Sequence, residues 1–173
     1  MSQKENKKLL YLAGGCFWGL EKALSYLDGV LMTSVGYANG NKMNPSYEEV
    51  CTNTTGFREA VEVIYDADIL QIEKLVDAFF ICIDPTIANR QGNDIGTQYQ
   101  TGIYYIQPGD KEILEGIFEE KRKLYDPFCV ELEQLKNFYD AEEYHQKYLD
   151  KNPSGYCHIS KKEFDEIKKL NGR

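Results

Sequence analysis

The chain has 173 residues, of which 42% are hydrophobic and 13% aromatic, and its formal net charge is −8 with an isoelectric point near 4.9. This length and composition predict one globular domain that is large enough to bury a core. The acidic charge argues against binding to nucleic acid or to an anionic membrane surface, since both need clustered Lys and Arg. No apolar run approaches the roughly 18 residues that span a bilayer.

The cysteines and histidines bear on the compartment and on metal binding. The first ten residues lack the long apolar stretch of a signal peptide, so we expect a cytoplasmic protein whose thiols are mostly reduced. The odd number of cysteines argues against a purely structural set of disulfides. No CxxC pair occurs and there are only two histidines, so we expect no zinc site. These residues are Cys16, Cys51, Cys82, Cys129, Cys157, His145 and His158.

In the first half of the chain, the hydrophobic pattern predicts strands and helices in alternation. An apolar strand over Leu9–Gly14 runs into a glycine turn, and apolar residues at helical spacing predict a helix over Cys16–Asp28. Val30–Tyr37 has the pattern of a strand and is followed by a loop rich in turn residues. The alternating stretch Glu59–Asp66 is the clearest strand. Apolar residues from Ile69 to Ile83 predict an amphipathic helix that ends before a proline.

The second half of the chain begins with a loop of about a dozen residues over Asp84–Thr97, a length that in compact domains often indicates a functional loop. A strand over Thr101–Ile106 and a helix from Asp110 to about Tyr125 follow. We then expect a strand near Val130–Leu135, a helix over Ala141–Asp150, and a tail.

The order of these elements predicts the fold class. Strand–helix–strand occurs twice, which is typical of an α+β, ferredoxin-like (split βαβ) two-layer sandwich. The C-terminal helix and strand elements and a coil-rich tail would be additions to it. Because we find no internal repeat and no Pro/Gly/Ser linker, we expect a single domain over residues 1–173, with a core of about 8–157 and a tail over 158–173. The fold alone says nothing about function.

Cys16 follows two glycines in the stretch AGGCFWGLEKAL, where a predicted strand meets a predicted helix. In the first turn of a helix, its sulfur would face free backbone N–H groups and the positive end of the helix dipole. That environment lowers the pKa of a thiol and makes it a nucleophile. A small buried cysteine in a tight turn is the alternative, and this turn alone does not decide between the two.

The two aromatic residues after Cys16 have different places on the predicted helix. Phe17 fits the buried stripe and would pack in the core, whereas Trp18, the only tryptophan, lies about 100° further round. Trp18 would either wall an apolar pocket for a methyl or thioether group or be an ordinary, partly exposed aromatic.

Glu59 opens the clearest strand, and alternation places it on the more apolar face, with Val61, Val63 and Tyr65. A carboxyl at the end of an apolar face is desolvated, so its pKa should rise and make it a general acid near neutral pH. A glutamate turned towards water at the end of the strand is the alternative.

Four further candidates lie in loops or in the tail. Asp94 belongs to NRQGNDIGTQY, which lacks the spacing and the lysine of a phosphate-binding loop; it would orient another group or cap a turn. Tyr47 and Tyr99 would donate hydroxyl groups from separate loops, or would merely pack. Cys157 would reach a second cysteine as a resolving thiol, or is an incidental cysteine of the tail.

Five blocks of sequence belong together: GGCFWGLE, GYANG, YEEVC…TTG…EAVEVIYD, DPT…NRQGNDIGTQYQTGIYY and FYDAEEYHQKYL.KNP.GYC. In this order they resemble the A-type peptide methionine sulfoxide reductases, and the resemblance covers roughly Leu9 to Cys157. A-type and B-type reductases each return one epimer of methionine sulfoxide to methionine. The resemblance therefore implies thiol-dependent reduction of the S-sulfoxide, free or in proteins, as antioxidant repair.

The resemblance also implies roles for the residues around the first motif. Cys16, in the GCFWG motif, is the nucleophile that becomes a sulfenic acid. Phe17 and Trp18 hold the methyl group of the substrate. Glu59, which ends the motif corresponding to TGHAE, is the proton donor.

For the remaining candidates, the resemblance implies supporting roles. Tyr47 and Tyr99 bond the sulfoxide oxygen, and Asp94 helps to order the pocket. Cys157 corresponds to a common resolving cysteine, whose disulfide an external dithiol such as thioredoxin reduces. No metal or organic cofactor is required.

The chain departs from the family pattern in two places. It has GFRE where the family usually has GHAE, and an inward-pointing Arg58 beside Phe57 would lower the pKa of Glu59. Its tail, CHISKKEFDEIKKLNGR, lacks the second cysteine of many relatives, so we expect no second relay disulfide. Two other functions remain open: a one-cysteine thiol peroxidase and a non-catalytic protein that binds oxidised methionine.

Overall fold

The structure, a computed structural model, describes residues 6–172. Its strands are β1 (Lys7–Ala13), β2 (Val30–Ala38), β3 (Arg58–Asp66), β4 (Arg90–Gln91), β5 (Asp94–Ile95), β6 (Gly102–Tyr105), β7 (Glu131–Gln134) and β8 (Phe138–Asp140). Its α-helices are α1 (Phe17–Ser25), α2 (Tyr47–Val50), α3 (Ile72–Cys82), α4 (Asp110–Arg122), α5 (Tyr148–Lys151) and α6 (Lys161–Leu170). Short 3-10 turns cover Thr97–Tyr99 and Glu143–His145.

A central mixed sheet has the strand order β7–β6–β1–β3–β2–β8. Neighbouring strands are antiparallel except for β6 and β7, which are parallel. Strands β4 and β5 form a separate small hairpin inside the stretch that we predict as a loop. The prediction of a mixed fold with a sheet and several helices is confirmed.

One face of the sheet and the helices enclose the main core. Period-2 alternation turns Leu10, Leu12, Val61 and Val63 to this face, and these side chains are fully buried in one cluster with the apolar stripes of α1 and α3. A smaller cluster of buried side chains covers the other face of the sheet. Glu59 lies near the first residue of β3, on the face that borders the main core. Its carboxyl group is therefore placed beside the first residue of α1, Phe17.

The strands and helices predicted up to Leu135 are confirmed to within a few residues, but the single helix predicted over Ala141–Asp150 is wrong. The chain there forms the last 3-10 turn and then α5, because Lys147 interrupts the helix with φ of +53°. The backbone N–H of Lys147 donates to Glu21 Oε1 at 2.8 Å and is therefore not used in a helical ladder. A contact 126 residues away along the chain overrides the local pattern.

The coil-rich tail over 158–173 is also wrong, because α6 occupies most of it. Ser160 caps this helix by accepting a hydrogen bond from the backbone N–H of Glu163. Ile167 and Leu170 are buried in the main core. Residues 1–5 and 173 lie outside the described residues. The prediction of one domain over 1–173 includes all of them, and the N-terminal stretch predicted to lack signal-peptide character includes residues 1–5. Within residues 6–172, no helix is long and apolar enough to cross a membrane.

Candidate active site

Cys16 lies where β1 leads into α1, and it is the N-cap residue of that helix. Gly15 has φ of +79°, and a Cβ at that position would come within 2.8 Å of Gln91 Cβ, so the turn requires glycine. The Cys16 side chain is 8% exposed, and the backbone N–H of Trp18 points towards its sulfur. The turn therefore presents a largely enclosed thiol at the start of a helix.

Glu59 is held beside this turn by two hydrogen bonds and is 1% exposed. Its Oε1 accepts from the backbone N–H of Phe17 at 3.2 Å, and its Oε2 accepts from Gln98 Nε2 at 2.9 Å. Burial raises the pKa of Glu59 to about 8, although both hydrogen bonds act to lower it; the charge of Asp94 raises it further. The carboxyl group therefore keeps its proton at neutral pH.

The thiol of Cys16 is neutral in the same environment. Burial is the main cause that raises its pKa; ionisation of Glu59 raises it further, and the backbone N–H of Trp18 acts in the opposite direction. The expectation of a lowered thiol pKa is therefore wrong for the resting protein. Loss of hydration outweighs what one N–H at a helix start supplies.

The two residues before Glu59, Phe57 and Arg58, do not lower its pKa in the way that the sequence suggested. Arg58 lies on the other face of β3, where its Nε donates to Glu131 Oε1 at 3.0 Å. Phe57 is fully buried and packs edge-on against Tyr139, with ring centroids 6.0 Å apart. An arginine that points inward and lowers the pKa of Glu59 is thus not what the structure shows.

Two tyrosine hydroxyl groups approach the site from separate loops. Tyr47 opens α2, whose start is closed by a capping box of Ser46 and Glu49, and Tyr99 ends the first 3-10 turn. Burial is the main cause that raises the pKa of both tyrosines, and each perturbs the pKa of the other because their hydroxyl groups are neighbours. Both remain O–H donors across the physiological pH range.

Asp94 stands at the rim of the site on the β4–β5 hairpin. Its Oδ2 accepts a hydrogen bond from the Tyr156 hydroxyl at 3.0 Å, which ties the hairpin to the C-terminal segment. The charge of Asp94 raises the pKa of both Glu59 and Cys16. This carboxylate therefore favours the neutral forms of the two central groups.

Phe17 and Trp18 form an aromatic wall together with residues that the sequence did not single out. Phe17 is buried, and its ring centroid lies 5.1 Å from that of His145. Trp18 is half-buried; its Nε1 donates to His145 Nδ1 at 3.0 Å, and its ring stacks on Tyr148 at 3.7 Å with an interplanar angle of 10°. Burial lowers the pKa of His145, so a neutral imidazole accepts this bond. The indole is thus fixed on two sides.

An open cavity of about 490 Å³ brings these groups together. Seven of the eight predicted site residues line it, with two residues that we did not predict. The lining residues are Cys16, Phe17, Trp18, Tyr47, Glu59, Asp94, Tyr99, His145 and Tyr156. Within the described part of the chain, no group of three or more His, Cys, Asp or Glu side chains is placed to hold a metal ion.

The functional residues missed by the sequence analysis are His145, Tyr156 and Gln98. Each lies inside or directly beside a block that resembles the family motifs, namely EEYHQ, GYC and GTQY. Their place in these blocks was the one sequence signal that could have identified them. Their composition alone does not distinguish them from ordinary polar residues, because their importance comes from the partners that the fold supplies.

Cys157 does not line the cavity and is half-buried against Gly19, which lies one helical turn after Cys16. A Cβ added to Gly19 would come 3.0 Å from Cys157 Sγ, so the sulfur fills the space that this glycine leaves. The thiol donates to the backbone carbonyl of Ile159 at 3.3 Å, and it lies close enough to Cys16 that its ionisation would raise the pKa of Cys16. Both cysteines are free thiols, and Cys157 also borders a second cavity of about 690 Å³.

Comparison with known proteins gives a consistent result. The family model described as peptide methionine sulfoxide reductase matches residues 8–171. A relative from Lachnoclostridium phytofermentans, peptide methionine sulfoxide reductase MsrA, is 59% identical over 162 residues, which cover 93% of this chain and 98% of the relative.

Solved structures agree with this similarity. Mxr1 from Saccharomyces cerevisiae in its reduced form aligns with a TM-score of 0.85 and 43% identity, over 90% of this chain and 92% of that chain. The structure of the same yeast protein in complex with Trx2 aligns with a TM-score of 0.60 and 31% identity, over 85% of this chain and 90% of that chain.

Proposed function

Because the chain belongs to the peptide methionine sulfoxide reductase family, and is thus an oxidoreductase that reduces methionine sulfoxide, we propose that Cys16 is its nucleophile and Glu59 its proton donor. The S epimer, free or in oxidised proteins, is the proposed substrate. One observation carries the assignment: the neutral thiol, the neutral carboxyl group and two tyrosine hydroxyl groups border one cavity.

In the proposed first step, Cys16 Sγ attacks the sulfur of the sulfoxide while Glu59 gives its proton to the departing oxygen. The thiol proton of Cys16 then replaces the proton that Glu59 has lost. Oxygen passes to Cys16, which becomes a sulfenic acid, and methionine leaves. The cysteine sulfur loses the two electrons that the methionine sulfur gains. A neutral starting pair suits the reaction, because the carboxyl group has a proton to give and the thiol has one to replace it.

Tyr47 and Tyr99 hydrogen-bond the sulfoxide oxygen, on which negative charge develops before the proton arrives. Their raised pKa values keep them as donors in this role. Asp94 orders the pocket, and its charge adds to the burial that keeps Glu59 protonated. The methyl group of the substrate rests against Phe17 and Trp18, which leaves the sulfur facing Cys16.

Cys157 resolves the sulfenic acid in the proposed cycle. Its thiol attacks Cys16 sulfur, a disulfide forms, and one water molecule leaves with the sulfenic oxygen. An external dithiol such as thioredoxin then reduces the disulfide; a yeast relative is known in complex with Trx2. The packing of Cys157 against Gly19, one helical turn after Cys16 in α1, supports this route. Its place at the second cavity lets a reductant reach its sulfur outside the substrate pocket.

The proposal also includes a fold class, a single domain, the absence of a cofactor requirement and a cellular location. The antiparallel order β6–β1–β3–β2 with helices α1 and α3 supports a ferredoxin-like core. One catalytic domain over residues 1–173 needs an external thiol but no metal or organic cofactor for the chemistry described. The free state of all five cysteines supports a reducing, cytoplasmic location.

The test is an assay of each sulfoxide epimer with a thioredoxin system, on the wild type and on the Cys16→Ser and Cys157→Ser variants. We expect turnover of the S epimer only, no activity in Cys16→Ser, and a single equivalent of methionine from Cys157→Ser. Activity that survives in Cys16→Ser would refute the nucleophile. Several rapid turnovers with thioredoxin in Cys157→Ser would refute the resolving role and leave the nucleophile standing.

The two other functions considered from sequence explain less of the site. A thiol peroxidase has no use for an aromatic wall beside a buried proton donor. If the protein were a non-catalytic binding protein, Cys16→Ser would bind the sulfoxide as tightly as the wild type, and the wild type would form no methionine. The same assay measures this methionine.

A further inference from the structure

A buried carboxylate that does not line the substrate cavity lies one helical turn beyond Trp18. Glu21 is 2% exposed and accepts three hydrogen bonds. Its Oε1 accepts from the backbone N–H of Lys147 at 2.8 Å, and its Oε2 accepts from Thr33 Oγ1 at 2.9 Å and from Lys147 Nζ at 3.1 Å. We call these three residues the Glu21–Thr33–Lys147 network; it joins α1, β2 and the segment before α5.

Lys147 has an unusual backbone for a residue with a side chain. Its φ of +53° and ψ of 36° lie in the left-handed region, which such residues rarely occupy unless their surroundings hold them there. Besides Glu21, its Nζ donates to the backbone carbonyl of Thr33 at 2.8 Å and to Thr33 Oγ1 at 2.5 Å. The network therefore supplies the contacts that hold this bend in the chain.

The bend separates the two residues that fix Trp18. His145 lies two positions before Lys147 and accepts the hydrogen bond from Trp18 Nε1 at 3.0 Å. Tyr148 lies directly after Lys147 and stacks on the indole ring at 3.7 Å. A regular helix through Lys147 would direct these two side chains differently, so the bend is a condition for both contacts with Trp18.

We propose that Glu21, Thr33 and Lys147 are positioning residues that hold Trp18 in place through His145 and Tyr148, and that they thereby set the size of the alkyl group that the cavity accepts on the sulfoxide sulfur. The proposal rests on the proposed function in one respect, namely that Trp18 contacts this alkyl group. None of the three residues touches the substrate.

Selectivity is the property that this arrangement controls. One additional methylene in a well-formed apolar pocket changes kcat/KM by about 10- to 200-fold. A Trp18 ring held from two sides cannot withdraw to make room for an ethyl group. When the ring is free to tilt, the pocket accepts the larger group and loses much of its advantage for the smaller one.

The experiment compares Glu21→Gln, Thr33→Val and Lys147→Gly with the wild type. Glycine suits the positive φ at position 147, and valine keeps the shape of threonine, so at least these two variants are expected to fold. Asp77→Asn is the control, since Asp77 also pairs with a lysine of another element, Lys121, but lies outside the site. Urea unfolding establishes that each variant is folded.

Two readouts are used. Trp18 is the only tryptophan, so emission and acrylamide quenching report on this one ring. The second readout is the ratio of kcat/KM for methyl and ethyl sulfoxides of otherwise identical substrates. We expect red-shifted emission and greater quenching in the three variants, and a methyl preference that falls from at least about tenfold to about threefold or less. Asp77→Asn should match the wild type in both.

Unchanged fluorescence in all three folded variants would overturn the proposal, because Trp18 would then not depend on the network. Changed fluorescence with an unchanged methyl-to-ethyl ratio would overturn the control of selectivity. Trp18→Phe identifies the reason in that case: if it also leaves the ratio unchanged, the assignment of Trp18 to the methyl pocket fails. If Trp18→Phe changes the ratio, only the positioning role fails.

Discussion

The backbone N–H of Phe17 donates a hydrogen bond to Glu59 Oε1 over 3.2 Å, although 42 residues separate them in the chain. The donor belongs to the residue directly after Cys16, so the turn that presents the sulfur also holds the acid. A free N–H in the first turn of a helix has no partner within the helix, and here the carboxyl group supplies one. The position of the nucleophile and that of the proton donor are therefore coupled.

Glu59→Gln should lower kcat/KM for the S-sulfoxide by about 10²- to 10⁴-fold, the range that a general acid contributes. Wild-type activity should fall on the alkaline side with a midpoint near pH 8, because Glu59 loses its proton there. Glutamine cannot donate an acidic proton, so the variant should lose this limb. Initial rates between pH 5 and 10 measure both effects.

Glu62→Gln is the matched control for this prediction. Glu62 lies on the same strand but on the other face, where its Oε2 accepts from the Tyr11 hydroxyl at 2.7 Å. We expect wild-type rates and the same alkaline limb. An alkaline limb that persists in Glu59→Gln would assign the titration to another group.

Stability should depend on pH through the same carboxyl group. The pKa of Glu59 is raised by folding from 4.5 to about 8, so its favourable contribution is complete below about pH 4.5 and is lost as pH rises through 8. Between pH 6 and 9.5, the free energy of unfolding of the wild type should fall by about 3 kcal/mol relative to Glu59→Gln, most of it below pH 8. Urea unfolding at several pH values tests this, and parallel pH curves for the two proteins would contradict it.

Gln98→Leu should move the alkaline limb to higher pH. Gln98 Nε2 donates to Glu59 Oε2 at 2.9 Å, and this bond stabilises the ionised carboxylate. Without it, the pKa of Glu59 rises further, and the acid stays protonated to a higher pH. The pH–rate profile is the measurement; a limb that moves to lower pH would show that Gln98 acts in another way.

Gly19→Ala should slow the formation of the disulfide between Cys16 and Cys157. The new Cβ would lie 3.0 Å from Cys157 Sγ and would push this sulfur from its place against α1. Alanine is favoured over glycine in a helix by about 1 kcal/mol, so the helix itself should not be weakened. Mass spectrometry of quenched single-turnover samples under non-reducing conditions follows the disulfide.

Gly116→Ala is the control on another helix, α4, because a Cβ there would meet nothing within 4 Å. It should form the disulfide at the wild-type rate. If Gly19→Ala and Gly116→Ala behave alike, the packing of Cys157 against Gly19 has no influence on resolution. The release of the first methionine should be unchanged in both, since it precedes the disulfide.

Local sequence patterns were sufficient where an element depends on its own periodicity. The alternation in β3 and the apolar stripe of α1 predicted both elements and the face on which Glu59 lies. They failed for the stretch after β8, where the backbone of Lys147 bonds to Glu21 rather than continuing a helix. Helical spacing cannot reveal a partner that distant in the chain.

For the site, the residues alone identified Cys16, Glu59, Tyr47, Tyr99 and Asp94 as candidates with alternatives, and the resemblance of the motifs joined them. The sequence did not single out His145, Tyr156 or Gln98, because a buried imidazole, a phenol and an amide acquire their roles from neighbours on other elements.

The order of most strands and helices, the residue types of the site and the family could be predicted from the sequence, since these depend on local periodicity and on motifs. The tertiary structure was needed to show that the Cys16 thiol is neutral and to choose, for Glu59, the raised pKa over the water-facing alternative that the sequence left open. Their pKa values depend on burial and on hydrogen bonds from Phe17 and Gln98, and folding creates both. The tertiary structure also decided the place of Cys157, because only folding brings the C-terminal segment against Gly19 of α1.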